Sequence, residues 1–331
     1  MNTPAVFDVI GIGNALVDVI THQDDGFLQR ENLVKGSMSL IDTERAVYLH
    51  RAMGSGISMS GGSAANTMTG VASFGAKACY IGKVADDELG AEFGHDMRAV
   101  QVAFPNKPSD LGVPTGRCLI VVTSDAERTM STYLGMSSLL GPEDIDVELI
   151  ARGKVLYMEG YLWDRAPAKE AYRKAAKASH AAGRLVSLTL SDSFCVDRHR
   201  ADFRSLVTDD VDVLFGNVDE LVSLYETDNV DEAIALVRND CQLAVITQGA
   251  KGSIIVSSDG VQHVDAEPVA QVVDTTGAGD LFAAGFLVGL TSGASLAECG
   301  RLASVAAAEV ISHVGARPAV SLHRLAGLGS V

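Results

Sequence analysis

From Lys154 onward the chain alternates short apolar runs with segments of helical spacing, a rhythm that few folds tolerate. Val155 to Met158, Leu185 to Leu190, Val211 to Phe215 and Leu243 to Thr247 have strand length. Between and after them, helical spacing runs over Ala166 to Ala182, around Arg198 to Val207, over Asp219 to Tyr225 and over Val230 to Arg238. A helix between two strands returns the second parallel to the first, and near-continuous apolar strands must be covered on both faces. The pattern therefore predicts an α/β fold, a central mostly parallel sheet flanked by helices on both faces, with ligands at the strands' C-terminal ends. A hairpin-like stretch, Ser253 to Val264, and a last helix, Ala297 to His313, complete this half.

The first half is less regular. Phe7 to Gly11 reads as a strand ending in a glycine turn, but a dinucleotide-binding fingerprint needs a third glycine where the chain has Leu16. Lys77 to Val84 reads as a strand, and Asp86-Asp87-Glu88 as the acidic start of a helix reaching about Val100. Thr115 to Thr123 and Arg128 to Leu134 read as two strands joined by the turn Ser124 to Glu127. A hairpin is foreign to a parallel crossover pattern, so it is placed outside the main sheet. There it joins the polar, glycine-containing stretch before residue 60, helical around Thr43 to Met53, as a small β-rich lid. The expected organisation is one domain over 1–331, with the lid drawn from about 15–60 and 113–136.

Composition narrows the partners. Forty-two acidic against 26 basic residues give a formal charge of −16, which excludes nucleic-acid polymers, whose binding rests on clustered Lys and Arg. No apolar run approaches membrane-spanning length, so no membrane partner is expected. Met1 to Phe7 lacks the basic and apolar regions of a signal peptide, and the five cysteines are scattered without a CxxC pair. Together these predict reduced, buried thiols and a cytoplasmic protein, and leave monomer and homodimer both open.

The chemistry centres on Asp274-Thr275-Thr276-Gly277-Ala278-Gly279-Asp280, which runs into the apolar stretch Leu281 to Leu290. Gly277, Ala278 and Gly279 leave their amides uncovered at a helix start, where unpaired N–H groups and the macrodipole attract anions. Asp280 fits either a helix-capping carboxylate or the base beside a transferring phosphoryl group. Asn14 and Asp18 stand four apart after the first strand and suit either turn capping or hydrogen bonds to a polyol. Gly61-Gly62 opens another helix, with Asn66 about one turn in; close ligand approach and tight packing both use such a pair. Asn217 and Glu220 stand three apart after Phe215, a spacing shared by a capping box and by groups ordering phosphate or metal-bound water. Thr247 to Gly252 suits nucleotide phosphates or an ordinary strand-to-strand turn. Arg128, on the lid hairpin, reaches a phosphate on closure or is simply solvated. No Walker-type or protein-kinase motif is present.

The segments Gly11 to Asp18, Gly61 to Asn66 and Asp274 to Asp280, in this order, resemble the ribokinase (PfkB) family of carbohydrate and nucleoside kinases over essentially the whole chain. Pro114 to Cys118, Thr189 to Phe194 and Val211 to Asn217 look most like adenosine kinases, whereas Ala64-Ala65 and Thr276 look more like the sugar-kinase branch. The resemblance implies transfer of the ATP γ-phosphate to the 5′-hydroxyl of adenosine, giving AMP in purine salvage. A sugar kinase acting on ribose, fructose or 2-keto-3-deoxygluconate is the alternative. A nucleoside binder without catalysis is the reading from another class. Residue by residue, the resemblance implies Asp18 and Asn66 on ribose hydroxyls beside Gly61 and Gly62, with Asn14 in the same segment. Leu16, Leu134, Met136 and Tyr161 would line the nucleobase pocket. Gly277 to Gly279 would form the anion hole, Asp280 the base, and Arg128 a counter-charge. Thr247, Gly249, Gly252, Thr275 and His313 would border ATP; Asn217 and Glu220 would organise Mg2+ through water. ATP and Mg2+ are the implied cofactors, and a monovalent cation such as K+ is compatible with the family.

Overall fold

A computed structural model describes residues 4–125 and 127–328. Met1 to Thr3 of the N-terminal stretch, Ala126 of the predicted turn and residues 329–331 lie outside it. Thirteen strands are found among the described residues: β1 (Phe7–Ile12), β2 (Leu16–His22), β3 (Met38–Leu40), β4 (Ile57–Gly61), β5 (Ala78–Ile81), β6 (Gly116–Val122), β7 (Arg128–Tyr133), β8 (Gly153–Glu159), β9 (Leu185–Thr189), β10 (Val213–Asn217), β11 (Leu243–Thr247), β12 (Ser253–Ser257) and β13 (Gly260–Val264). Eight form the large sheet, in the order β13-β12-β11-β10-β9-β8-β1-β5, parallel from β5 through β11 and antiparallel at β12 and β13.

Alternation along the strands divides the core. Val9, Val155, Tyr157, Val213, Phe215 and Val245 point to one face; Ile10, Leu156, Met158, Leu214 and Ile246 point to the other. The first face is covered by the helices Ser63–Ser73, Ala278–Thr291 and Leu296–Val310. The second is covered by Ala166–Ala181, Ser193–Asp209, Val218–Tyr225 and Val230–Asp240. Helix Ala278–Thr291 has no polar stripe because every residue from Leu281 to Gly289 is buried, wedged between the other two helices of its face. The motif at its N-terminus is thereby fixed by the core.

The predicted hairpin is β6 and β7, paired antiparallel with Cys118 opposite Thr132. It belongs to a second, five-stranded sheet, ordered β3-β7-β6-β2-β4. The helix Thr43–Met53 is present and begins where Asp42 accepts the Arg45 amide at 2.8 Å. Three strands escaped the sequence reading. β2 starts only four residues after β1 ends, so Asn14 and Asp18 suggested a turn where a second strand begins. All three residues of β3 are exposed, and β4 is mostly small and polar, so neither carries a hydrophobic signal. The helix expected around Arg198 begins at Ser193, because Asp192 caps it by accepting the Cys195 amide at 2.6 Å. All five cysteines are free and buried. No helix among the described residues is long and apolar enough to cross a membrane.

Candidate active site

The two sheets meet where β1 hands the chain to β2. Strand β2 pairs antiparallel with β4, setting Leu16 opposite Gly61 and Asp18 opposite Met59. The Asp18 carboxylate lies flat against Gly61: a Cβ added there would stand 2.7 Å from Oδ1 and nearer still to Oδ2. Only glycine leaves room for that approach, which accounts for the first residue of the pair. Gly62 is the N-cap of helix Ser63–Ser73.

The first turn of that helix reaches Asp280. Ser63 Oγ donates to Asp280 Oδ1 at 2.6 Å, and Asn66 Nδ2 donates to Oδ2 at 3.0 Å. Burial raises the pKa of Asp280, while the Ser63 and Asn66 hydrogen bonds pull it back. Burial also pushes Asp18 up to about 6; Arg317 and Arg128 oppose the shift and Asp280 adds to it. Two carboxylates thus share one polar basin. Arg317, largely buried, donates to Met97 Sδ at 3.7 Å, and its Nε has no hydrogen-bond partner among the described residues.

Ahead of Asp280, Gly277 takes φ +80° as N-cap, and a Cβ there would stand 2.8 Å from the Ala316 backbone. The amides of Gly277 and Gly279 have no acceptor among the described residues, and the space above Gly279 is open. Ala278 differs from the expectation, since its amide closes a turn on Thr275 O at 3.2 Å. Asp274 locks the loop. Its Oδ1 accepts from the Thr276 amide at 3.0 Å and hydroxyl at 2.7 Å, and its Oδ2 accepts from the Gly315 amide at 2.9 Å. Arg128 is not a solvated arginine: it crosses from the small sheet to pair with Asp274 Oδ2 at 2.8 Å and to donate to Thr276 Oγ1 at 3.2 Å.

Glu159, at the end of β8, was not singled out in the sequence. It is 1% exposed, and its carboxylate accepts from Asn14 N at 2.8 Å, Asn14 Nδ2 at 2.9 Å and Ala64 N at 2.8 Å. Burial pushes it up to about 7 against those N–H donors. Asn14 also accepts from Ser137 Oγ at 3.0 Å, so its amide is mostly spent on the protein. Beyond Asn14 lies a cavity of about 190 Å³ lined by Leu134, Ser138, Tyr161, Leu162, Asp164 and Arg165. Leu134 and Tyr161 therefore face one space. Met136 instead is fully buried, its amide on Pro114 O at 2.9 Å, and Leu16 packs at the β2–β6 junction, where a Cβ on Gly116 would meet its Cδ2 at 2.6 Å.

At the end of β10, inside the large sheet, Asn217 and Glu220 make a reciprocal capping box. Glu220 N donates to Asn217 Oδ1 at 2.8 Å, and Asn217 N donates back to Glu220 Oε2 at 3.0 Å. Burial, together with Asp192 and Asp219, raises Glu220 to about 7, although the Asn217 amide lowers it. Both Glu220 oxygens are engaged by Asn217, and among the described residues no group of three or more His, Cys, Asp or Glu is placed to hold a metal ion. Thr247 to Gly252 forms the turn between antiparallel β11 and β12, with Gln248 N on Gly252 O at 2.8 Å and open space over Gly249. Thr275 is exposed; His313 is tied to Glu309 Oε1 at 3.2 Å, beside the loop that donates Gly315 N to Asp274.

A helix N-terminus with open amides and a half-buried aspartate, at the C-terminal ends of a parallel sheet and beneath a second sheet, defines a ribokinase-like phosphotransferase. The chain belongs to the pfkB family of carbohydrate kinases, whose model matches residues 29–322. A solved adenosine kinase from Sinorhizobium meliloti is 51% identical, covers 98% of this chain and 99% of its own, and superposes with a TM-score of 0.91. A probable sugar kinase from Rhizobium etli CFN 42 is 48% identical, covers 98% of both chains, and has a TM-score of 0.91. A 5-dehydro-2-deoxygluconokinase from Halalkalibacterium halodurans is 29% identical over 94% of this chain and 91% of its own. The protein is thus an ATP-dependent kinase with an alcohol as acceptor.

Proposed function

We propose that this kinase phosphorylates the 5′-hydroxyl of adenosine. The observation that carries the reading is the cavity beyond Asn14, whose apolar wall of Leu134, Leu162 and the Tyr161 ring suits a nucleobase better than a fully hydroxylated sugar. The 51% identity to the Sinorhizobium meliloti adenosine kinase supports it. In this reading Asp18 and Asn66 hold the ribose hydroxyls, and Asp280 takes the proton from the attacking hydroxyl. The amides of Gly277 and Gly279 receive the charge of the transferring phosphoryl group. Arg128, neutralised by Asp274, holds the small sheet over the motif as a lid, excluding water that would otherwise be phosphorylated. Thr247, Gly249, Gly252, Thr275 and His313 border the nucleotide. Mg2+ would be held through its waters by Glu220, beside the Asn217 cap, and would neutralise phosphate charge when bound. The protein works in the cytoplasm.

A sugar acceptor is the second reading, favoured by the 29% identity to the 5-dehydro-2-deoxygluconokinase and the 30% identity to a probable chloroplastic fructokinase of Arabidopsis thaliana. ADP release with ATP and Mg2+ separates them across adenosine, inosine, ribose, fructose and 2-keto-3-deoxygluconate. Turnover on sugars alone refutes the nucleoside reading, and no turnover on any acceptor favours a binder.

Two variants probe the acceptor basin. Asp18→Ala should raise the acceptor KM by roughly 10- to 100-fold, since hydrogen bonds to a charged group contribute about 1.5–3 kcal/mol; calorimetry showing unchanged affinity removes Asp18 from the hydroxyls. Arg317→Gln should move the acid limb of kcat/KM to higher pH. Its positive charge is the largest influence lowering Asp18, while Arg128 also lowers Asp18 and Asp280 raises it. An acid limb that stays in place in Arg317→Gln rules out this coupling; Arg317→Lys should restore the wild-type profile.

A further inference from the structure

Among the polar side chains lining the cavity beyond Asn14, one has no partner among the described residues. Ser138 Oγ donates to Gly135 O at 2.9 Å, Tyr161 Oη donates to Ser191 O at 3.2 Å, and the Asn14 amide is held by Glu159 and Ser137. Asp164 is held by Arg198 at 3.1 Å and by His199 at 2.6 Å. Arg165, next along the chain, also lines the cavity; its carbonyl accepts from Lys169 N at 3.1 Å, yet its side chain has no hydrogen-bond or ion-pair partner among the described residues. Its position is set by fold: it is the N-cap of helix Ala166–Ala181, in extended conformation with φ −112° and ψ 140°. As an N-cap it gives that helix no side-chain acceptor, so capping does not account for it.

A guanidinium has five N–H donors in a planar fork and no acceptor. We propose that Arg165 is a specificity-determining residue that donates to the acceptor edge of the base of a bound purine nucleoside. The inference rests on the nucleoside reading above. It makes a distinction within that class. A 6-oxopurine presents O6 and N7 side by side, a pair of acceptors that fits the fork in bidentate fashion. Adenine presents N7 beside an amino group, which is a donor, and so engages only half of it. The same kinase therefore accepts inosine and guanosine alongside adenosine, and Arg165 supports the oxopurines more.

The experiment is steady-state kinetics of wild type, Arg165→Met and Arg165→Lys with adenosine, inosine and 7-deazainosine. Arg165 is exposed, so the variants should fold normally. Arg165→Met is expected to raise the inosine KM by roughly tenfold or more, with kcat unchanged and a smaller effect on adenosine. Lysine keeps the charge without the fork and should fall between. With 7-deazainosine the penalty should shrink, because one acceptor is already missing. An unchanged ratio of inosine to adenosine KM in Arg165→Met overturns the proposal, as does a wild type that uses adenosine but not inosine. Failure of the wild type on every nucleoside defeats the nucleoside reading itself, and Arg165 as base reader with it.

Discussion

Asp280→Asn is expected to lower kcat by roughly 10²–10⁴-fold, the usual contribution of a positioned general base, while the acceptor KM changes little. The geometry makes this substitution clean. Asn66 Nδ2 can keep donating to the remaining side-chain oxygen, and the Ser63 hydroxyl can rotate to accept from the new amide, so both neighbours of the carboxylate stay satisfied. The bare amides of Gly277 and Gly279 are backbone groups and are untouched. What disappears is the ability to take a proton. Burial raises the Asp280 pKa, and the Ser63 and Asn66 hydrogen bonds limit the rise. Burial makes the charged carboxylate a stronger base, and the two hydrogen bonds moderate that effect. The measurement is steady-state ADP release, with thermal unfolding as the control for folding. A variant that keeps wild-type kcat rules Asp280 out as the base. A fall confined to KM would instead make it a substrate-binding group.

How much of this could be read from the chain depends on whether a residue's neighbours lie near it in sequence. The parallel sheet was legible from Val155 onward because each strand is apolar on both faces and each connecting helix is amphipathic, both local properties. The helix behind Asp280 was legible for the same reason. The small sheet was legible only at β6 and β7, where the apolar run Cys118 to Val122 and the polar turn after it mark a hairpin; β3 is fully exposed and β4 is small and polar, so neither had a pattern to find. Site residues divide in the same way. Asp18, Gly61, Asn66 and Asp280 lie in recognisable local motifs, and the structure brings them together. Asn217 and Glu220 also formed a local pattern, and the capping box they make is enough to explain it. Ser63 stood inside the Gly-Gly segment, and its one distinguishing act, the bond to Asp280, spans 217 positions. Glu159 is the sharper case. Nothing nearby in sequence marks it, and its partners Asn14 and Ala64 are 145 and 95 residues away. One signal was available: a glutamate ending an apolar strand run, where a charge is costly unless partnered.

Glu159→Gln is expected to destabilise the fold by about 2–6 kcal/mol and to lower kcat/KM well below the unfolding temperature. The stability figure follows from about 1–3 kcal/mol for each buried group left unsatisfied. Three N–H groups point at the two carboxylate oxygens, and a glutamine has only one oxygen to give. In its less costly orientation the amide keeps the two bonds from Asn14 and turns its NH2 toward Ala64 N, leaving two donors face to face in a buried space. Ala64 opens helix Ser63–Ser73, so the strain falls on the turn carrying Ser63 and Asn66, and through them on Asp280. The loss of activity is thus transmitted by position, since Glu159 touches no reacting atom. The pH dependence separates this role from a generic core defect. Burial raises Glu159 from 4.5 to about 7, so between those values the folded chain keeps a proton that the unfolded chain has released. Its stabilising contribution is complete below the lower value and is lost as pH rises through the upper one. Glutamine does not titrate, so the fall in denaturant midpoint from about pH 5 to about pH 8 should be shallower in the variant. Equal slopes in the two proteins would falsify the assignment of that proton to Glu159. A variant as stable and active as wild type would mean that Asn14 and Ala64 find other acceptors, and that the two halves of the site are not joined through this carboxylate.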